Sequence, residues 1–148
     1  MSSVFKRAFF NISSIIENKD GEGESDTERS FSKAHGSLRI SDGEINLSYK
    51  ESTESGDVHT IICKNDACVT VRRTGAIDSL MIFTEGKTQS SVYTVGAYKF
   101  DMSLSTERIR CDIGESGGTL RLLYGMTVGG VTKRCSMKIE VKTGGLRK

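Results

Sequence analysis

The residues that come nearest to a catalytic motif are Gly114-Glu115-Ser116-Gly117-Gly118, which satisfy the G-x-S-x-G pattern of a nucleophilic serine. A nucleophile elbow requires a strand before the serine and a helix after it, whereas an alternating, strand-like segment at 119–128 follows here. The serine would also need a base, and the two histidines, His35 and His59, stand in no motif of the protease kind. We therefore predict a glycine-rich hairpin loop here and no hydrolase activity, and no residue gives specific support to another enzymatic activity.

The sequence also contains no motif for a metal site or a nucleotide-binding site. Cys63 and Cys68 are too far apart for a C-x-x-C pair, and Cys111 and Cys135 are isolated. The segment 21–25 carries acids where a phosphate-binding loop needs free amides and positive potential. We expect no cofactor, no metal and reduced cysteines, with Cys135 as a small apolar core residue.

Basic residues recur on successive strand-like segments and could form one stripe across a sheet that binds RNA. They are Arg72, Arg73, Arg108, Arg110, Arg121, Lys133 and Arg134. An RNA-binding version would interleave exposed aromatic rings for stacking, but these segments supply Tyr93, Tyr98 and Tyr124, and Tyr124 alternates with the apolar set. We therefore interpret the stripe as a solvated face and do not expect nucleic acid as a partner.

Composition limits the classes of protein that remain. The 148 residues fit one domain, and 21 basic against 19 acidic residues give a net charge of only +2, which does not favour a dedicated polyanion binder. No stretch approaches the roughly 18 consecutive apolar residues that a transmembrane helix requires. Lys6, Arg7 and Asn11 interrupt the only candidate signal peptide. We expect a cytoplasmic protein with no membrane partner.

The elements that must position these residues are strands. The chain has 16 glycines and no proline, and apolar residues alternate with polar ones along 131–141, 120–128 and 45–50. Short turn segments separate such runs: 41–43, 65–66, 85–86, 114–118 and 129–130. This pattern predicts about eight to ten antiparallel strands that close as a barrel or pack as a sandwich.

Three segments are less regular. The apolar residues between Phe5 and Ile16 fit helix and strand spacing equally, so periodicity leaves that segment undecided. Residues 17–28 hold six acids against one lysine and predict a mobile acidic loop. Basic residues dominate the end of the chain, which predicts a basic tail at 143–148.

The ordered spacing of several short patterns resembles the YwiB-like family of uncharacterised bacterial proteins. The matching residues are His35-Gly36, Ile45 to Glu51, Arg73-Thr74-Gly75, Met81 to Gly86, Tyr93, Gly96, Thr106, Gly118, Leu120 and Tyr124. The resemblance extends from Ile12 to Val141 and departs from the family in the acidic insertion 21–28 and the basic extension after Val141. It implies a calycin-like β-barrel and a first strand around Ile12 to Glu17, and it supplies no known activity.

A barrel of this kind can enclose one small ligand, and its lining residues come from the inward set. The large side chains that match the family pattern are Tyr49, Met81, Phe83, Tyr93 and Tyr124. Arg73 is the charged member, and once buried it would require a carboxylate or another anionic head group as its partner. The alternative is that all six residues fill the core, with Arg73 paired to Glu51 or Glu85.

These observations lead to one fold and three ranked functions. The predicted fold is all-β, a single antiparallel up-and-down barrel of about 8–10 strands over residues 1–148, calycin-like or lipocalin-like. The first hypothesis is a non-enzymatic barrel that binds a small, partly apolar, anionic ligand through the six residues above. The second is an interaction module or homodimer with a filled barrel, whose outer face or edge strand makes the contact. RNA binding through the arginine face ranks third.

Overall fold

The alternating segments fold into ten β-strands in a computed structural model that describes residues 3–18 and 27–143. The strands are β1 (Ser3–Asn18), β2 (Thr27–Ser41), β3 (Glu44–Thr53), β4 (Gly56–Lys64), β5 (Val69–Gly75), β6 (Ile77–Phe83), β7 (Thr88–Val95), β8 (Tyr98–Cys111), β9 (Gly117–Val128) and β10 (Val131–Thr143). Within these residues there is no helix, and so none that could cross a membrane.

Each strand pairs antiparallel with its neighbour in sequence, and β1 also pairs with β10, so the sheet is closed. The predicted all-β antiparallel barrel is therefore confirmed, and the sandwich alternative is wrong. Pairing is uneven around the barrel, because β6 and β7 pair at only three positions, Ile77 to Val95, Asp78 to Thr94 and Ser79 to Tyr93. This short β6–β7 seam is the weakest lateral contact between consecutive strands.

The core fills the middle of the barrel with the inward side chains of nearly every strand. Phe10, Leu38, Leu47 and Phe83 are at most 1% exposed, and each large apolar side chain buried in this way contributes roughly 1.5–3 kcal/mol. Two aromatic pairs join facing strands: Phe10 with Tyr49 at 5.0 Å and Phe83 with Tyr124 at 4.7 Å between ring centroids. Cys135 is buried on this inward face, as the alternation of β10 predicts.

A β-bulge interrupts β8 between Thr106 and Arg108. Thr106 pairs with Tyr124 and faces inward, but the extra residue shifts the register by one, so Arg108 and Arg110 oppose Leu123 and Arg121. The backbone N–H of Ile109, just after the bulge, donates to Glu85 Oε2 at 2.7 Å. The bulge thus moves Arg108 and Arg110 to the outer face of the barrel.

The first two strands are longer than predicted. β1 begins at Ser3, well before Ile12, and β1 and β2 pair as far as Glu17 with Thr27. The predicted loop at 17–28 is therefore too long, because Glu17, Asn18, Thr27 and Glu28 belong to strands, and 19–26 lie outside the described residues. Of the predicted tail, Thr143 ends β10 and 144–148 lie outside the described residues.

The predicted turns all fall at links between consecutive strands. Asp42 and Gly43 form the two-residue link from β2 to β3, with φ of 53° and 83°, the conformation that a tight hairpin needs. The link from β3 to β4, Glu54-Ser55, carries neither glycine nor asparagine at its centre and was not predicted. Its Thr53 hydroxyl donates to the Gly56 carbonyl at 2.6 Å and closes the turn.

Gly36 supplies a steric test of this packing. A Cβ at Gly36 would overlap the Ser48 carbonyl oxygen of the neighbouring strand, so Gly36→Ala must push β2 away from β3. We expect the free energy of unfolding, measured by urea titration, to fall by about 3 kcal/mol or more. The control is Gly125→Ala, whose Cβ would meet nothing closer than the Lys133 oxygen at 3.9 Å. Equal stabilities of the two variants would contradict the close approach.

Candidate functional site

One row of cross-strand partners brings together the predicted charged residue and two of the predicted aromatic residues. In register order across β3 to β7 the row runs Tyr49, Thr60, Arg73, Ser79, Tyr93. Side chains of directly opposed residues lie on the same side of a sheet. Because Tyr49, Thr60 and Ser79 are buried, the row faces the barrel interior. We call these five residues the inner row.

The two residues that flank Arg73 are buried hydroxyls. Thr60 is 0% and Ser79 6% exposed, and neither hydroxyl has a partner within 3.5 Å among the described residues, although the Thr60 hydroxyl lies near enough to the Tyr49 phenol to act on it. Thr106 Oγ1 and Gln89 Oε1, also buried, share this property. A buried polar atom without a partner costs about 1–3 kcal/mol, so each of these atoms can gain from bonding a further polar group.

Arg73 is half-buried and forms no ion pair within the described residues. The alternative pairing with Glu51 or Glu85 is not formed. Glu51 Oε2 instead accepts a hydrogen bond from the Ser32 hydroxyl, and Glu85 accepts the Ile109 N–H. The guanidinium therefore keeps its donors for another acceptor.

The charge of Arg73 acts on two buried phenols. Burial raises the pKa of Tyr49 to about 12, while Arg73 lowers it, Glu51 raises it and the Thr60 hydroxyl lowers it, each by a smaller amount. Burial also raises the pKa of Tyr124 strongly, and Arg73 again opposes the shift. Both phenols are therefore neutral at physiological pH, and each keeps an O–H donor.

The remaining predicted residues lie next to the inner row or at its end. Met81 and Phe83 follow Ser79 on the same face of β6 and are 4% and 0% exposed. Tyr124 projects from β9 and packs its ring against Phe83. Tyr93, at the end of the inner row, is half-buried with its ring centroid 6.5 Å from that of Phe100. Met81, Phe83 and Tyr124 thus form an apolar floor next to the row.

Sequence reasoning missed Thr60 and Ser79. The sequence feature that could have identified them is a polar residue at a position where the alternation predicts an apolar, inward one. Thr60 stands between Val58 and Ile62 in this way, and Ser79 precedes Met81. Threonine and serine are common on strands, so this signal is weak without the register.

The predicted arginine stripe does not form as one row. Arg73 faces inward, its neighbour Arg72 is exposed on the outer face of β5, and Lys133 opposes the inward-alternating Met126. Arg134 pairs with Glu107 at 3.6 Å. Arg108, Arg110 and Arg121 share one part of the outer face, and Arg134 is exposed beside them.

The serine motif and the cysteines offer no reactive centre. Ser116 is exposed in the link between β8 and β9, and His35 and His59 are exposed on β2 and β4, where His59 Nε2 bonds the Ser48 hydroxyl at 2.9 Å. All four cysteines are unpaired. Among residues 3–18 and 27–143 no group of three or more His, Cys, Asp or Glu could hold a metal ion.

Comparison with known proteins agrees with this architecture. A family model described as "Domain of unknown function (DUF1934)" matches residues 12–141. The uncharacterized beta-barrel protein YwiB of Bacillus subtilis (strain 168) is 29% identical over 90 residues, which are 61% of this chain and 63% of that relative's length. The crystal structure of the ywiB protein from Bacillus subtilis aligns with a TM-score of 0.79 at 23% identity, over 95% of this chain and 93% of the other. The resemblance identified from the sequence is confirmed.

The raised pKa of Tyr49 predicts a loss of stability at alkaline pH. Below pH 10 the phenol is protonated in both states and contributes no pH dependence, but between pH 10 and about 12 only the unfolded chain ionises readily. The free energy of unfolding should therefore fall by up to roughly 2–3 kcal/mol over this window, and Tyr49→Phe should remove that component. Urea titrations at stepped pH would measure it.

The matched control for this titration is Tyr98→Phe, because Tyr98 is 71% exposed. This variant should follow the wild-type pH curve. A Tyr49→Phe curve that coincides with the wild-type curve up to pH 12 would contradict the burial of the phenol.

Proposed function

The chain belongs to the DUF1934 family, domains of unknown function, and we propose from the chemistry of its interior that it binds a small, partly apolar organic anion inside the barrel. The anionic group would bind at Arg73, and the apolar remainder would lie against the aromatic walls. The role is binding, with no bond made or broken.

The observation that carries this proposal is the order Thr60, Arg73, Ser79 on three adjacent strands. Neighbouring strands lie about 4.8 Å apart, so the two hydroxyls stand on either side of the arginine within reach of one small anion. Arg73 can donate two parallel hydrogen bonds to a carboxylate or phosphate-like group, and Thr60 and Ser79 can each donate one more. A bound anion would thus accept hydrogen bonds from all three of these groups.

The apolar floor fits the rest of such a ligand. Met81, Phe83 and Tyr124 present a thioether and two rings next to the inner row, and the Tyr49 ring flanks it on the other side. Small-molecule sites in proteins combine such apolar walls with a few fixed polar groups. The chemistry selects an amphipathic anion over a simple inorganic one.

The β6–β7 seam supplies a route into the interior. Ser79 and Tyr93 form the last pair of the seam, and beyond them Met81 and Phe83 have no paired residue on β7. A ligand could pass between the two strands next to the inner row by local opening, which needs fewer backbone hydrogen bonds to break here than elsewhere.

The four unpaired cysteines agree with the predicted cytoplasmic location.

A second candidate function is a homodimer or interaction module. Ile61, Leu80 and Val92 are 41–42% exposed on the outer faces of β4, β6 and β7, and Ile61 and Leu80 both adjoin Arg72. An outer face with exposed apolar residues on both sides of one arginine suits a self-complementary interface. Because the sheet is closed, this outer face and not an edge strand would make the contact.

Neighbouring arginines provide a matched test of ligand binding. The probe is 8-anilinonaphthalene-1-sulfonate, which carries an anionic sulfonate on apolar rings, and laurate serves as competitor. Arg73→Ala should weaken both at least tenfold, the loss expected for a charge-assisted hydrogen bond of about 1.5–3 kcal/mol. Arg72→Ala changes the same charge on the outer face and should bind as the wild type does. Equal affinities of the two variants would overturn the site.

Native mass spectrometry of gently purified protein separates the two candidate functions. We expect a monomer that carries a discrete small-molecule adduct, absent from Arg73→Ala and retained in Leu80→Glu. A dimer without adduct, converted to monomer by Leu80→Glu, would instead support the interaction module and contradict the ligand site.

A further inference from the structure

We propose that the outer face of β1, β2, β8, β9 and β10 binds single-stranded nucleic acid. An open groove of about 1360 Å³ lies on this face. It is independent of the inner row, because its lining comes mainly from the outward residues of these strands. We call it the outer groove.

Two register rows cross the outer groove. The first runs Phe31, Ser13, Lys138, Arg121, Arg110 from β2 to β8, and the second runs Arg29, Ile15, Ser136, Leu123, Arg108. Successive rows on one strand lie about 7 Å apart, since each residue advances the strand by about 3.4 Å. Both rows of the groove therefore carry cationic side chains, with smaller polar and apolar residues between them.

The charge of the groove is strongly one-sided. Arg29, Arg108, Arg110 and Arg121 form no ion pair with any described residue, and Lys138 contacts Glu140 at 3.4 Å. Asp112 is the one acid in the lining, and its Oδ1 accepts the Thr119 N–H at 2.6 Å. The small net charge of the whole chain conceals this local excess of positive charge, which attracts a polyanion.

The bulge in β8 builds the cationic face. Without the extra residue, Arg108 and Arg110 would continue the inward alternation of Leu104 and Thr106 and point into the core. With it, both arginines face outward beside Arg121. Bulges commonly re-aim side chains at binding sites, and here the device places two cations on one surface.

An exposed aromatic ring makes a nucleic acid a better fit than an acidic protein segment. Phe31 is 63% exposed in the first row, and Arg29 and Lys33 alternate with it on the same face of β2. A flat ring among cations is the arrangement that stacks an unpaired base while neighbouring cations hold the phosphates. This interleaved aromatic is what the arginine-rich strands alone did not provide.

Fluorescence anisotropy with a fluorescein-labelled 12-mer of uridine tests the proposal between 50 and 200 mM KCl. The full chain should bind, with log affinity falling linearly with log salt. Arg110→Ser/Arg121→Ser should lower affinity at least tenfold at 50 mM KCl and reduce the salt slope by about 1.4, which is about 0.7 for each lost contact to a single strand. The charge-matched control is Arg72→Ser/Lys99→Ser, which should change neither quantity.

The ring is tested separately. Phe31→Ala should weaken binding at least fivefold with the salt slope unchanged, because stacking carries no charge. Phe5→Ala removes an equally exposed ring outside the groove and serves as the control. A deoxythymidine 12-mer shows whether the site separates RNA from DNA, and binding of either strand supports the proposal.

Several results would overturn it. These are no binding at 50 mM KCl, equal loss in the groove and control variants, or tighter binding of polyglutamate than of the 12-mer, which would assign the groove to an acidic protein. Circular dichroism confirms that each variant is folded. Binding of 8-anilinonaphthalene-1-sulfonate by Arg110→Ser/Arg121→Ser should match the wild type, so this test fails or succeeds independently of the interior site.

Discussion

The closed cross-strand register is the constraint on which the rest of this molecule depends. Because side chains alternate across a strand, closure divides every strand into one inward and one outward set. The ladder continues from β1 through β10 and back, so no strand can slip without moving its apolar residues into water. Burial of Phe10, Leu47 and Phe83 then holds the register in place.

The same rule gives neighbouring residues different chemistry. Arg72 and Arg73 are adjacent in the chain, yet one is solvated and the other stands between two buried hydroxyls. In β8 a single extra residue reverses the rule and turns two arginines outward. The inner row therefore follows from the regular alternation of side chains along its strands. The cations of the outer groove follow from the interruption of that alternation by the bulge in β8.

The buried polar side chains of the interior lower the stability of the fold. The buried hydroxyls of Ser79 and Thr106 find no partner among the described residues, and each opposes folding by about 1–3 kcal/mol. Every fully buried large apolar side chain contributes a similar amount in favour of folding. The extensive core near Leu38, Ile62 and Ile139 can offset a few such groups.

The sequence by itself determined most of the strands, five of their turns and the antiparallel class, because alternation and turn chemistry are local properties of the chain. It also singled out Arg73 as the charged residue of the interior, through the family resemblance. It could not place Thr60 and Ser79 beside Arg73, because the register between consecutive strands decides which residues are opposed. It could not place Phe31 in line with Arg110 either, because β2 and β8 are far apart in the chain and share a row only through the closed sheet. The full length of β1 and the bulge of β8 likewise emerged only from tertiary structure, because partner strands and not local propensity decide where a strand begins and which face it presents.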